Sequence, residues 1–384
     1  MNKLNKKFII TIATIVGFTL LIIVFVAIFR ACNKKTNNYS SAEKKMVSAA
    51  KKYYKKNQDK KPELSEHTSV SVSELVEGNF MKPLSEILID SSCTGEVIVY
   101  NNGGKYQIIP DLNCAEYKTI HFADKVIEEN LVSSSTDEEP ELDNDTENSN
   151  DENISRDYLS GLYYIDGVYV FKGKDPNNYV KFAKTMWRIL DIDSNGIVRL
   201  IKNEAETKQL RWDTKFNSDV NRSYGINDYK NSLILEELTK VYDKLKDETK
   251  VHFAPFDVCI GKRDSKDLSI DRNVDCATVL EKQYISVISI SDFARASLDE
   301  NCNSVISGSC RNYNYLYKVA SQTWTTTALS NNTYKVAYIS SGTATSIEAR
   351  NSATYNRVIA INGKELFNSG TGTSSDPYII NTSK

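Results

Sequence analysis

The chain has 384 residues, 40% of them hydrophobic and 26% charged, with 48 basic against 50 acidic side chains and a net charge of −2. That length suits two or three domains, and the composition is that of folded soluble matter rather than of a wholly membrane-embedded or disordered chain. The near-neutral balance argues against nucleic acid as a partner, because a phosphate backbone is held by an excess of lysine and arginine.

Residues 1–7 form a short basic tail, and residues 8–29 run for 22 positions without a charge. At about 1.5 Å per residue, that run matches the roughly 30 Å hydrocarbon core of a bilayer, so a single transmembrane helix is expected there. Arg30 follows the apolar run directly, which fits a retained anchor better than a cleaved signal. Phe29-Arg30-Ala31-Cys32 ends like a lipoprotein cleavage box, but the arginine stands where a small residue belongs, which argues against lipidation of Cys32. Gly17 to Leu21 is similar to the start of a type IV pilin, although Ile22 takes the place of that family's glutamate. Lys3, Lys6 and Lys7 on one side are balanced by Arg30, Lys34 and Lys35 on the other, so charge does not fix the orientation.

Residues 38–131 read as a small α+β module, a helix plus a hairpin. Ser40 with Glu43 makes a capping-box pattern, and Met46, Ala49, Ala50, Tyr53 and Tyr54 share one helical face, predicting a helix over about 41–57. Its other face carries Lys44, Lys45, Lys51, Lys52, Lys55 and Lys56, a solvated face that is also suited to anionic lipid headgroups. Ser71 with Glu74 opens a second, short helix with Leu75 and Val76 inward and Gly78 at its end. Strand-like runs at 95–100 and 105–112 flank Asn101-Asn102-Gly103-Gly104, a hairpin-turn signal. Cys93 and Cys114 bracket that hairpin.

Between Ser133 and Asn153 there are nine acidic residues and no basic ones, so residues 132–156 are expected to be a disordered acidic linker. Any calcium captured by such flexible carboxylates would be held weakly.

Residues 157–384 mix strand-like runs (162–171, 186–191, 197–201, 284–290, 335–339 and 357–361) with helices over about 232–245 and from about 291, an α+β pattern. Asp191, Asp193, Asn195 and Gly196 imitate the opening of an EF-hand loop. Lys202 occupies the twelfth position where a glutamate belongs, so a turn within a hairpin is the better reading.

Six of the seven cysteines fall in local twos: Cys93 with Cys114, Cys259 with Cys276, and Cys302 with Cys310. Such pairs suit an oxidising exterior, which places the N-terminus in the cytoplasm and the folded domains outside the cell; reduced, buried cysteines are the alternative. No C-x-x-C is present, and His67, His121 and His252 are not at ligand spacing, so no metal site and no cofactor is expected.

The segments "MWRILDIDSNGIVRLI", "INDYKNSLILEEL", "YISVISISDFARAS", "NYNYLYKVASQTWTTTA", "YNRVIAI" and "SGTGTSSDPYII" follow one another between residues 160 and 380. In that order they resemble an uncharacterised surface domain of Firmicutes and Mollicutes-type bacteria that is distantly C-type-lectin-like. One departure is Arg357-Val358, where relatives tend to read "RPV". The preceding 100 residues resemble the pilin-like stalk modules of low-GC Gram-positive surface proteins.

These resemblances imply a membrane-anchored extracellular binding or adhesion protein for a cell-surface glycan or protein. They transfer no catalytic residue. A structural subunit of a pilus-like or secretion apparatus is the alternative. An extracellular enzyme is less favoured, since Cys302 and Cys310 have no nearby histidine and nucleophile, P-loop and dinucleotide motifs are missing. Trp187, Trp212 and Trp324 are core landmarks first and candidates for aromatic recognition second.

Overall fold

The computed structural model describes residues 38–134, 159–220, 223–264 and 266–380. The apolar run 8–29, Cys32, the pilin-like start and all but the first three residues of the acidic linker lie outside them. The described chain divides into two compact units, and each is taken by itself.

The smaller unit holds residues 38–61, 68–99 and 108–119. Its helix Tyr39–Lys56 forms because Ala42, Met46, Ala49, Ala50, Tyr53 and Tyr54 recur on one face, and that face is buried. The cap differs from the expected box: Asn38 accepts the hydrogen bond from the Ser41 amide at 2.9 Å. Glu43 instead turns into the unit and accepts hydrogen bonds from the Tyr117 hydroxyl at 2.9 Å and Thr119 Oγ1 at 2.7 Å. The six lysines of the opposite face are exposed.

Ser71 caps Val72–Glu77 as its sequence suggests, taking the Glu74 amide at 3.1 Å. The Glu74 carboxylate pairs with Lys60 at 2.9 Å and accepts from the Tyr53 hydroxyl. Leu75, Leu84, Leu88, Val97, Val99 and Leu112 complete an apolar core around Met46. The sheet has three strands in the order His67–Ser71, Thr94–Asn102, Lys105–Asn113.

The larger unit holds residues 62–67, 100–107 and 120–380 of the described chain. Its main sheet has ten strands. The central order is Ile285–Ser286, Val358–Asn362, Ile197–Lys202, Thr185–Ile192, Val168–Lys172, Gly161–Ile165, Leu131–Ser134. Tyr179–Phe182 pairs antiparallel with Thr185–Ile192 and parallel with Tyr378–Ile380. A second sheet of four strands runs Lys262–Arg263, Gln322–Leu329, Lys335–Ser340, Thr343–Glu348. The central strands bury both faces: Ile189, Leu190, Ile192, Val198, Leu200, Ile201 and Val358–Ile361 are all buried.

Helix Leu233–Asp243 is capped by Ser232 and buries Ile234, Leu235, Leu238 and Tyr242. Ile290–Arg295 starts with a reciprocal capping box between Ser289 and Asp292. The expected single strand over 162–171 is two, Gly161–Ile165 and Val168–Lys172. Asp166 and Gly167 separate them with φ of 52° and 79°, the left-handed pair that a tight hairpin turn requires. The run 284–290 supplies only Ile285–Ser286 before the chain turns into the helix.

The expected architecture of a transmembrane helix, a helix-plus-hairpin module and a possibly C-type-lectin-like domain is therefore corrected. No helix among the described residues is long and apolar enough to cross a membrane. With nine α-helices and 23 mostly short strands among those residues, the chain is a sheet-rich mixed α+β protein. Periodicity undercounted strands because many are two to five residues long, too short to display an alternation.

Candidate functional site

Three disulfides are formed, Cys93–Cys114, Cys259–Cys276 and Cys302–Cys310. The first joins the ends of the hairpin. Asp90 lies beside it, but both sulfurs are bonded to each other, and its carboxylate accepts from the amides of Ser92 at 2.9 Å and Ala115 at 3.1 Å. This carboxylate closes a loop, and the sulfurs have no thiolate to offer a metal.

Trp187, Trp212 and Trp324 are buried, and their indole N–H groups donate to the carbonyls of Phe182, Thr325 and Leu210. Buried rings with satisfied nitrogens present no surface to a ligand, so the tryptophans build the core rather than a recognition platform. The EF-hand imitation resolves the same way. Asp191 is bound to Arg199, and Asp193 accepts from the amides of Asn195 at 2.9 Å and Ile197 at 2.8 Å, closing the turn.

The polar chemistry of the larger unit concentrates around helix Ile290–Arg295. Arg199 Nε donates to Asp191 at 2.8 Å, and Nη2 donates to Asp292 at 2.7 Å. Burial alone would lower the Arg199 pKa, but the two carboxylates hold it well above the ordinary guanidinium range. Burial would likewise raise Asp292, and Arg199 holds it below the usual aspartate range.

One residue before Asp292, the amide and hydroxyl of Ser291 donate to Asp275 Oδ2 at 3.0 and 2.6 Å. Asp275 also takes Arg263 Nε at 2.6 Å, and Arg263 spends its other nitrogens on the carbonyls of Ser269 and Asp271. Cys276, tied to Cys259, follows immediately, so the second disulfide fixes the segment that carries the buried Asp275. Two charge clusters thus pin a six-residue helix whose own backbone bonds could not hold it in place.

From this helix the chain runs through Ser297–Lys318, a stretch with little regular structure. Ser297 Oγ donates to the Asn312 carbonyl at 2.7 Å. Asn314 Nδ2 donates to the carbonyls of Phe293 at 2.8 Å and Cys310 at 2.7 Å, while its Oδ1 accepts the Leu316 amide. Tyr315 is buried beneath, its hydroxyl on the Ile189 carbonyl at 3.0 Å and its ring 4.9 Å from the Arg188 guanidinium. Burial drives the Tyr315 phenol far above its ordinary range, and it stays a neutral donor. The Cys302–Cys310 bond closes the loop between.

On the outside of this braced segment lies a cleft of about 490 Å³ lined by Lys174, Asp299, Asn301, Arg311, Asn312, Tyr313, Asn314, Tyr317 and Lys318. Asp299 accepts from Asn312 Nδ2 at 2.7 Å and from the Asn301 amide at 2.9 Å, which fixes the rim. Tyr317 is 39% exposed, leaving part of one ring open. Gly342 backs it: a Cβ there would stand 2.5 Å from the Tyr317 ring and 2.8 Å from Arg311 Cβ, so only glycine lets the turn pack that closely. The volume is that of a small-ligand site. Amide, phenol and cationic groups on a rigid floor are the chemistry of polar recognition.

Sequence alone does not single these residues out. Residues 312–318 open the landmark "NYNYLYKVASQTWTTTA", whose density of tyrosine and asparagine is the available signal, and Arg311 lies just outside it.

No protein-family model matches the chain, and neither a curated protein nor a solved structure matches it.

Proposed function

We propose that the larger unit is a binding module displayed outside the cell, which recognises a hydroxyl-rich surface ligand in the cleft beside the Cys302–Cys310 loop. The observation that carries this reading is the loop itself. Residues 297–318 hold little regular structure beyond the 3-10 turn Gly308–Arg311 and the start of helix Leu316–Val319, yet they are held by a disulfide, by the buried amide of Asn314 and by the buried Tyr315, while polar side chains face outward. An irregular segment costs conformational entropy to fix, and fixing it beforehand lowers the entropy lost on binding. The three disulfides support an oxidising location, and the ordered landmarks resembling a bacterial surface domain support the same address. The uncharged run 8–29 supports attachment at the membrane, with the N-terminus inside.

The test is an array of surface glycans probed with the full-length chain in detergent, alongside Tyr317→Ala and Asn312→Ala. Binding that falls in both variants at unchanged melting temperature supports the reading. Binding that survives both moves the site elsewhere, and recovery of the protein in sheared filament fractions would favour a structural subunit instead.

A further inference from the structure

Three cations, Lys174, Arg311 and Lys318, and one carboxylate, Asp299, line the cleft. Arg311 and Lys318 are both exposed, and among the described residues neither forms a salt bridge. Of the buried arginines in the same unit, Arg188, Arg199 and Arg263 each form a salt bridge to an aspartate, whereas among the described residues buried Arg295 and exposed Arg311 form none.

Tyr317 supplies a partly open ring between these cations in sequence, and Asn301 and Asn312 supply amides that both donate and accept. A guanidinium fork pairs with carboxylate or phosphate through two parallel hydrogen bonds, and an ammonium adds a point charge. An apolar ring beside amides suits the C–H face and hydroxyls of a saccharide or polyol.

We infer that the ligand of the cleft is an acidic saccharide or polyol chain, with Arg311 and Lys318 binding its phosphate or carboxylate groups and Tyr317, Asn301 and Asn312 its hydroxylated backbone. This inference rests on the cleft being the recognition site. It predicts salt-sensitive binding, because exposed charge pairs are screened over about 8 Å at physiological ionic strength.

The lysine face of helix Tyr39–Lys56 is a second basic surface, and a polyanion will be drawn to it as well. The experiment separates the two. The full-length chain in detergent is titrated with poly(glycerol phosphate), with polygalacturonate and with neutral dextran. The variants are Arg311→Gln/Lys318→Gln, Tyr317→Ala, and Lys51→Gln/Lys52→Gln/Lys55→Gln/Lys56→Gln.

The expected result is that at least one polyanion binds, that the cleft double variant weakens it about tenfold, and that the helix variant leaves most of the affinity in place. The polymer that binds identifies phosphate or carboxylate as the anionic group. Polyanion binding lost only in the helix variant, or no binding of either polyanion, overturns the inference. Dextran binding that disappears in Tyr317→Ala but ignores Arg311→Gln/Lys318→Gln also overturns it, while leaving the cleft as a site for neutral glycans.

Discussion

The two units solve the problem of a modest core in different ways. The smaller one packs a single amphipathic helix on short strands, and its interior is nearly all apolar: Met46, Leu75, Leu88, Val97 and Leu112 are fully buried. Among its described residues Glu43 is the one buried carboxylate, and its partners are hydroxyls. The larger unit buries Arg199 with Asp191 and Asp292, and Arg263 with Asp275, around one short helix. Apolar packing tolerates substitution by size, whereas a buried ion pair demands its partner in one geometry. The difference teaches where positional accuracy is concentrated: on the helix from which the cleft-bearing loop departs.

The largest effect should come from breaking the charge cluster. Arg199→Met removes the guanidinium that hydrogen-bonds both Asp191 and Asp292, and chemical denaturation should show a loss of about 3–5 kcal/mol in the larger unit. A loss below about 1 kcal/mol would mean that the cluster is no more demanding than apolar core. In the smaller unit, Met46→Ala removes a fully buried side chain and should cost about 2–5 kcal/mol by the same measurement. The two substitutions differ in what rescues them: Leu should restore most of the stability at position 46, and Lys should not do so at position 199.

Next come the disulfides. Replacing Cys93 and Cys114 by serine should cost about 2–4 kcal/mol, and replacing Cys302 and Cys310 somewhat less, because the loop spans 8 positions rather than 21. The second replacement should nevertheless be the one that weakens ligand binding, read by titration on the same preparations.

Titration gives opposite signs at two carboxylates of the larger unit. Arg199 holds Asp292 below its ordinary range, so its contribution is complete above the unfolded value of about 4 and is lost as pH falls through the folded one. Burial pushes Glu365 up, although His252 and Gln107 donate to it and pull it back. Its contribution is complete below about 4.3 and is lost as pH rises through the raised value. Melting temperatures across pH should therefore show a weaker acid limb in Asp292→Asn and a flatter limb above the usual glutamate range in Glu365→Gln. Tyr317→Ala should change stability least, by under about 0.5 kcal/mol, since the ring is a surface group.

Local features were legible where residue type and backbone demand coincide. Ser71 caps the helix that its spacing announces, and the hairpin turns at Gly103 and Gly104. The cysteine twos pair as local spacing suggested. Asp166-Gly167 carried the same kind of turn signal and was read through as a strand, because the flanking valines and tyrosines form one continuous β-prone run. The cleft was not legible. Its cations come from 174, 311 and 318, and nothing in the spacing of Lys174 joins it to a loop more than a hundred residues later. The buried role of Glu43 was equally hidden, since its partners Tyr117 and Thr119 lie on the far side of the hairpin in sequence.

The proposed recognition surface is formed by residues 297–318. Hydrogen–deuterium exchange of the full-length chain, with and without a saturating cell-wall polysaccharide preparation, tests it most directly. The account predicts slower exchange confined to the amides of 299–318 and the turn around Gly342. Protection that instead falls on helix Tyr39–Lys56 or on the exposed pair Phe216 and Tyr224, with 299–318 unchanged, would contradict it.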